Sequence, residues 1–391
     1  PLSFSRAFTL RQECGSRGKR SRHARSSAAE PESLSRRALV TALPAIVPAV
    51  GGLLPGALAA GAGDGQVRKA IASRLPIGYR STTVAVGGEI IPVAQWYPLS
   101  SVTSTATVET ERPYQYQIGI ANLFKAFLGF KLPIPSPTVA SGDVFVRVGG
   151  AAVAQCKHGI VFAHGMLGSR FDMADLCAAL AREGFVVSAA DFAESISASF
   201  TPNEATSRSA IIDAELALLQ SDFGATEFGI FGHSAGGGSA TTMPGPFTLG
   251  RCAIAGARLY DGGDPLYIVA SSGDGVIPLD RVKAAVFGRS GMQVASDPAE
   301  LTWPAGQQKS AALLLDKAVP GAAYPPNHIS FLDEEANAAL VRVLSPLLPL
   351  ARFLKLPVLD FDVYTERLDA RQTAAAVRPS IVSFFMANRR P

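Results

Sequence analysis

The residues Gly232-His233-Ser234-Ala235-Gly236 follow without a break the largely apolar run Glu227-Phe228-Gly229-Ile230-Phe231. A short apolar run of this kind reads as a buried strand, and a strand that turns at once into a helix crowds its own backbone at the junction. Residues without side chains are then needed two positions to either side of the apex, and Gly232 and Gly236 stand there. The pattern predicts a strand, a sharp elbow and a helix in succession, with Ser234 presented at the turn as a candidate nucleophile.

The rest of the chain repeats the same alternation. Thr82–Val86, Ile90–Trp96 and Val144–Val148 read as opening strands, and Gly159–Ala163 is short and apolar throughout, as a parallel strand buried on both faces would be. Phe171–Glu183 has helical spacing through Met173, Leu176, Cys177 and Leu180. Phe185–Ala189 is a strand, Ser207–Gln220 a helix, and Cys252–Ala255, Leu266–Ala270 and Leu313–Leu315 further strands, with helices near 332–344 and 363–387. Such order predicts an α/β fold: a mostly parallel central sheet covered by helices on both faces, with ligands at the carboxyl ends of its strands. The chain has 391 residues, 48% of them hydrophobic and 17% charged, enough to bury a large core. Residues 61–391 are expected to form a single domain, with no internal repeat.

Residues 1–60 read differently. Residues 1–37 hold nine Lys/Arg against three acids, so the formal net charge of +4 comes from this segment and the remainder is mildly acidic. A basic surface for nucleic acid is therefore not expected. The segment is rich in Arg and Ser and leads through Arg36-Arg37 into the uncharged stretch Ala38–Ala60, which includes Ala57-Leu58-Ala59. That composition predicts a two-part targeting leader: a transit peptide followed by a twin-arginine, apolar signal for the chloroplast thylakoid lumen or membrane surface. Stromal or envelope residence and an uncleaved membrane anchor are the alternatives, the anchor weakened by Pro44, Pro48 and Pro55. The first methionine is Met166, so the leader is expected to be incomplete. Cys14, Cys156, Cys177 and Cys252 contain no C-x-x-C pair, and neither a zinc site nor a disulfide framework is predicted.

A serine hydroxyl is a weak nucleophile until a histidine takes its proton. Of the five histidines, at 23, 158, 164, 233 and 328, only His328 follows the serine, in a loop between the last strand and a helix. It is the candidate base. Asp274 stands just beyond an apolar strand, where a carboxylate orients such a histidine; Asp261 and Asp264, one strand earlier, are the alternatives. In His164-Gly165-Met166-Leu167-Gly168 the glycines permit a tight turn that presents the Met166 N–H, and the Ala235 N–H follows the nucleophile. These two donors are the candidate oxyanion hole. His164 is expected to brace this loop, and His233 to pack beside the elbow. The scheme calls for no metal and no organic cofactor.

Val161–Arg170, Leu180–Val187 and Gly232–Gly237 resemble the platelet-activating-factor acetylhydrolase and chlorophyllase branch of the α/β-hydrolases, as does Gln95-Trp96-Tyr97-Pro98. The likeness spans roughly residues 80–335 and implies an α/β-hydrolase fold and a serine carboxylic-ester hydrolase. The chain departs from the pattern twice. Acetylhydrolases of this type carry the acid just after the strand that follows the nucleophile helix, where Arg251–Ala257 offers only Ala and Gly; chlorophyllases usually have Arg where Ala235 stands. The first departure favours Asp274.

Ile120, Leu123, Phe124, Phe127 and Leu128 recur at i, i+3, i+4, i+7 and i+8 within a lid-like segment at about 114–140. Such an apolar face reads either as a core-facing helix or as an entrance that touches a membrane and admits a hydrophobic ester. Leu344–Phe361 is a second apolar stretch of this kind. The expected substrate is the phytyl ester of chlorophyll, with a phospholipid or galactolipid acyl ester as alternative. A non-catalytic lipid- or pigment-binding hydrolase fold is the reading from another class.

Overall fold

The computed structural model describes residues 77–99, 155–197, 206–245, 247–256, 258, 262–286, 291–304, 309–344 and 369–389, together with 108–112, 115–117, 119, 122, 138–140 and 145–148. The leader 1–60, most of the lid-like segment, Asp261 and residues 345–361 of the second apolar stretch lie outside the described residues.

A nine-stranded sheet forms the centre. It opens with the hairpin β1 (Ile77–Val86) and β2 (Glu89–Pro98), whose tight turn runs through Gly87 and Gly88, both at positive φ. The strands that follow are β7 (His158–Ala163), β8 (Val186–Ala190), β9 (Glu227–His233), β10 (Gly250–Ile254), β11 (Leu266–Ser271), β12 (Gln293–Ala295) and β13 (Ala311–Leu315). Their spatial order is β1-β2-β8-β7-β9-β10-β11-β13-β12, with only β2 antiparallel to its neighbours. The crossing at β8-β7-β9 sets the switch in strand order beside the elbow. This strand order, with a helix following the elbow, is that of the α/β-hydrolase fold.

Helices α1 (Ala174–Arg182), α5 (Glu334–Leu344) and α6 (Ala370–Asn388) cover one face; α2 (Arg208–Phe223), α3 (Ala235–Thr242) and α4 (Leu279–Val286) cover the other. The period of two along each strand makes this possible. Ile160 and Phe162 point to the first layer, whereas Val161 and Ala163 point to the second. With helices on both faces, β7, β8, β11 and β13 are buried at every position, as their predominantly apolar composition requires.

Most predicted helices and strands are found within a few residues of their expected bounds, but β1 begins five residues before Thr82, the helix expected near 363–387 is Ala370–Asn388, and the strand expected at Val144–Val148 lies outside the main sheet. Helix α2 runs three residues further, to Phe223, where Gly224 adopts φ +70 and caps it. The edge strand β12 was not expected; it has three residues, and its composition carries no strand signal. Two small antiparallel pairs also lie outside the main sheet: β3 (Val108–Arg112) with β6 (Phe145–Val148), and β4 (Gln115–Gln117) with β5 (Thr138–Ala140). The β4–β5 pair closes the base of the lid-like segment. Among the described residues no helix is long and apolar enough to cross a membrane.

Candidate active site

The elbow forms because three close approaches exclude side chains. A Cβ on Gly232 would overlap the Gly236 carbonyl, one on Gly236 would overlap that of Ala163, and one on Gly256 would overlap that of Ser234. At Gly256, just after β10, the elbow therefore leaves no room for a side chain. Ser234 takes φ 54, ψ −119, while its N–H donates to the Ile254 carbonyl at 2.9 Å. A non-glycine residue in this region costs about 1–3 kcal/mol and persists only where its surroundings impose it. Two other such residues, Leu167 at φ 58 and Ala255 at φ 50, sit at the carboxyl ends of the strands flanking β9. Strain is therefore gathered around Ser234, and no sequence signal marks Leu167 or Ala255 for it.

His328 begins a single 3₁₀ turn, His328–Phe331, fixed by a reciprocal cap. Asn327 Oδ1 accepts from the N–H groups of Ile329 at 3.1 Å and Ser330 at 2.9 Å, and the Asn327 N–H donates back to Ser330 Oγ at 3.2 Å. Two ties, one to the segment before α1 and one to α5, hold the turn in place. The Asp333 N–H donates to the Asp172 carbonyl at 2.9 Å, and Asn337 Nδ2 donates to the Ile329 carbonyl at 2.7 Å.

Asp274 follows β11 and is buried. Its Oδ1 accepts the N–H groups of Val276 and Ile277, each at 2.8 Å, which leaves Oδ2 for His328 Nδ1 at 2.9 Å. Gly273 lets the two loops touch, since a Cβ there would overlap the Pro325 carbonyl. Asp264 is engaged elsewhere. It pairs with Arg251 Nε at 2.8 Å, and that buried guanidinium caps the end of α3 through the carbonyls of Ala240, Met243 and Gly245 at 3.0, 2.7 and 2.7 Å. Of the carboxylates weighed from the sequence, the structure brings Asp274 to His328 and Asp264 to Arg251; Asp261 lies outside the described residues.

The turn after β7 abuts the elbow: a Cβ on Gly165 would stand 3.1 Å from Ser234 Cβ. Met166 lies in this turn and Ala235 is the first residue of α3, the two elements that border Ser234. His164 is fully buried and braces the loop. It accepts the Phe192 N–H at Nε2, 2.9 Å away, and its Nδ1 lies 2.7 Å from the Gly165 carbonyl. Burial, with Arg208 adding repulsion, pushes its pKa down to about 4, so the ring is neutral and Nδ1 carries the proton. Arg170 adds a buried ion pair with Asp191, and the Ile196 N–H donates to the Gly168 carbonyl at 3.0 Å, tying the turn to the loop beyond β8. Sequence reading missed Arg170 and Asp191, because a charged residue beside a strand end is ordinarily solvated.

Asp172, beneath the same turn, is pushed up to about 7 by burial, though Ser169 Oγ donates to it at 2.9 Å. Among the described residues no group of three or more His, Cys, Asp or Glu gathers as metal ligands would.

No family model and no curated protein matches the chain. Solved structures do. A ferulic acid esterase from Streptomyces cinnamoneus shares 20% identity over 82% of this chain and 92% of its own, with a TM-score of 0.47. An α/β serine hydrolase without a lid from Xanthomonas campestris shares 9% over 70% and 95%, with a TM-score of 0.36. A cold-adapted esterase from an Arctic intertidal metagenomic library shares 12% over 72% and 95%, with a TM-score of 0.35. The strand order and the strained elbow, independently of these likenesses, make the fold that of an α/β-hydrolase.

Proposed function

We propose that the chain is a serine carboxylic-ester hydrolase. The observation that carries this reading is the buried bond from His328 Nδ1 to Asp274 Oδ2, 2.9 Å long, in a chain whose Ser234 sits at φ 54, ψ −119, one residue after the His233 ring that meets the His328 carbonyl. Ser234 Oγ attacks the ester carbonyl carbon while His328 Nε2 takes its proton; Asp274 holds the imidazole in the tautomer this needs and balances the imidazolium. The N–H groups of Met166 and Ala235 stabilise the oxyanion. The intermediate collapses with cleavage of the carbonyl carbon–alkoxy oxygen bond, and His328 returns its proton to the departing alcohol. Water, deprotonated by His328, then releases the acid from the acyl-enzyme. No step requires a metal or organic cofactor.

For substrate, the reading is a hydrophobic ester, foremost the phytyl ester of chlorophyll, cleaved to chlorophyllide and phytol. The plastid-type leader and the apolar periodicity of residues 120–128 support it, together with action in the chloroplast at or near the thylakoid membrane. The second reading, a phospholipid acyl ester, draws support from Ala235, which stands where chlorophyllases usually carry arginine.

A fluorophosphonate tests the reaction: the folded protein should take one label, at Ser234. Absence of that adduct would overturn the hydrolase reading in favour of a lipid- or pigment-binding protein. Incubation with chlorophyll and with short-chain phosphatidylcholine separates the substrates, and release of acid from the lipid without chlorophyllide would reject the pigment ester.

A further inference from the structure

We propose that His233 is a positioning residue, whose neutral ring holds the main chain of His328 so that the imidazole meets Asp274 on one side and Ser234 on the other. This rests on the ester-hydrolase reading of Ser234 and His328.

His233 is the last residue of β9, with its Cα paired to Ile254 on β10, so the strand itself fixes where its ring begins. The ring is buried between the two loops of the site. On one side its Nδ1 would stand 3.2 Å from a Cβ on Gly165; on the other its plane lies against the His328 ring, centroids 4.7 Å apart and inclined by 46°. Its Nε2 lies 2.8 Å from the His328 carbonyl oxygen. A carbonyl oxygen only accepts, so Nε2 carries the proton, and a neutral ring then leaves Nδ1 bare. Burial, with the neighbouring His328 adding repulsion, pushes the pKa of His233 down to about 3, which keeps the ring neutral.

Two consequences follow for the chemistry. The 3₁₀ turn carrying His328 is only four residues long; Asn327 caps its start, Asn337 holds the Ile329 carbonyl, and His233 holds the carbonyl of residue 328 itself. A base displaced by about 1 Å loses on the order of 100-fold in rate, so a bond that fixes its backbone acts on turnover. The neutrality of His233 matters as well. His328 becomes an imidazolium during each half-reaction, and a second cation 4.7 Å away would oppose that charge.

The test compares His233→Leu, which keeps the bulk and loses the donor, with His233→Gln, whose amide carries a donor at a similar reach. His233→Met serves as a second donor-free variant should the leucine form fail to fold. Turnover of a p-nitrophenyl ester, fluorophosphonate labelling rate and melting temperature are measured for each. The leucine form should lose about 10- to 100-fold in kcat with KM nearly unchanged, and the glutamine form should recover most of that loss. In the wild type, imidazole ¹⁵N shifts should show His233 as the neutral Nε2–H tautomer throughout the pH range of activity. Equal kcat in the leucine and glutamine forms, a loss that merely tracks the folded fraction, or an Nδ1–H tautomer would each overturn the proposal. A labelled wild type with indifferent variants removes the positioning role alone; a wild type that takes no label removes the hydrolase reading with it.

Discussion

Asp274 and Asp264 lie ten residues apart beside glycines, and their surroundings give them unlike work. Asp274 spends one oxygen on two backbone N–H groups and the other on His328, whereas Asp264 neutralises the arginine that caps α3. Asp274→Asn should therefore lower kcat on the order of 10⁴-fold while leaving KM within severalfold, as steady-state kinetics will show. Asp264→Asn should leave kcat within severalfold and lower the melting temperature, because the buried Arg251 charge loses the carboxylate 2.8 Å from its Nε. His164 and His233 bear on acid stability. Both are buried, with folded pKa values lowered to about 4 and about 3, so the unfolded chain binds protons that the folded one refuses. Their contribution is present above the ordinary histidine pKa of about 6.5 and lost as pH falls toward those folded values. Urea midpoints measured across that range should decline on acidification, and His164→Gln should flatten part of the decline.

At the scale of elements, the contact of β7, β9 and α3 decides whether an elbow exists. Gly236→Ala places a methyl group against the Ala163 carbonyl, and the backbone there has no room to move. Folding stability should fall by several kcal/mol, with fluorophosphonate labelling lost even in the folded fraction, as chemical denaturation and labelling stoichiometry will report. Gly273 holds an equivalent place between the loops of Asp274 and His328. Both glycines are visible in the sequence, but only the one inside the G-x-S-x-G pattern announces its reason. For Gly273 the crowding atom is the carbonyl of Pro325, fifty-two residues away in the chain. The edge strand β12 escaped notice for a related cause: three residues paired to β13 draw their order from the neighbour they join, not from their own pattern.

Across the whole molecule, the sheet and its two helical layers share the burden of burying unusual side chains. Glu215 on α2 is fully buried over the sheet, with Ser188 Oγ donating to it at 2.8 Å, and burial pushes its pKa up to about 8. Asp172 moves in the same direction, to about 7. Each folded carboxyl holds its proton more tightly than the unfolded one. Their contribution to stability is therefore whole below the ordinary carboxylate pKa of about 4 and is lost as pH rises through about 7 to 8. Glu215→Gln should abolish part of that alkaline loss in denaturation midpoints measured from acid to mildly alkaline pH. On the opposite face, Phe385 of α6 meets the rings of Phe185, Phe231 and Phe384. Phe385→Ala should cost about 3–5 kcal/mol by urea denaturation.

Short-range periodicity and local crowding are written in the chain itself, and they carry much of this protein. Apolar runs flanked by helical spacing specify the layered α/β order, the paired glycines place the elbow at Ser234, and chain order leaves His328 as the one histidine beyond it. The acid stays a choice between three aspartates at that level, because each follows a strand and adjoins a glycine. Folding resolves it, by bringing Asp274 Oδ2 to 2.9 Å from His328 Nδ1 across 54 residues of chain and turning Asp264 toward Arg251. The same holds for His233, whose hydrogen bond reaches across 95 residues, and for the strain at Leu167 and Ala255. Such contacts depend on where loops converge once the sheet is assembled, and no local pattern of residues carries that distance.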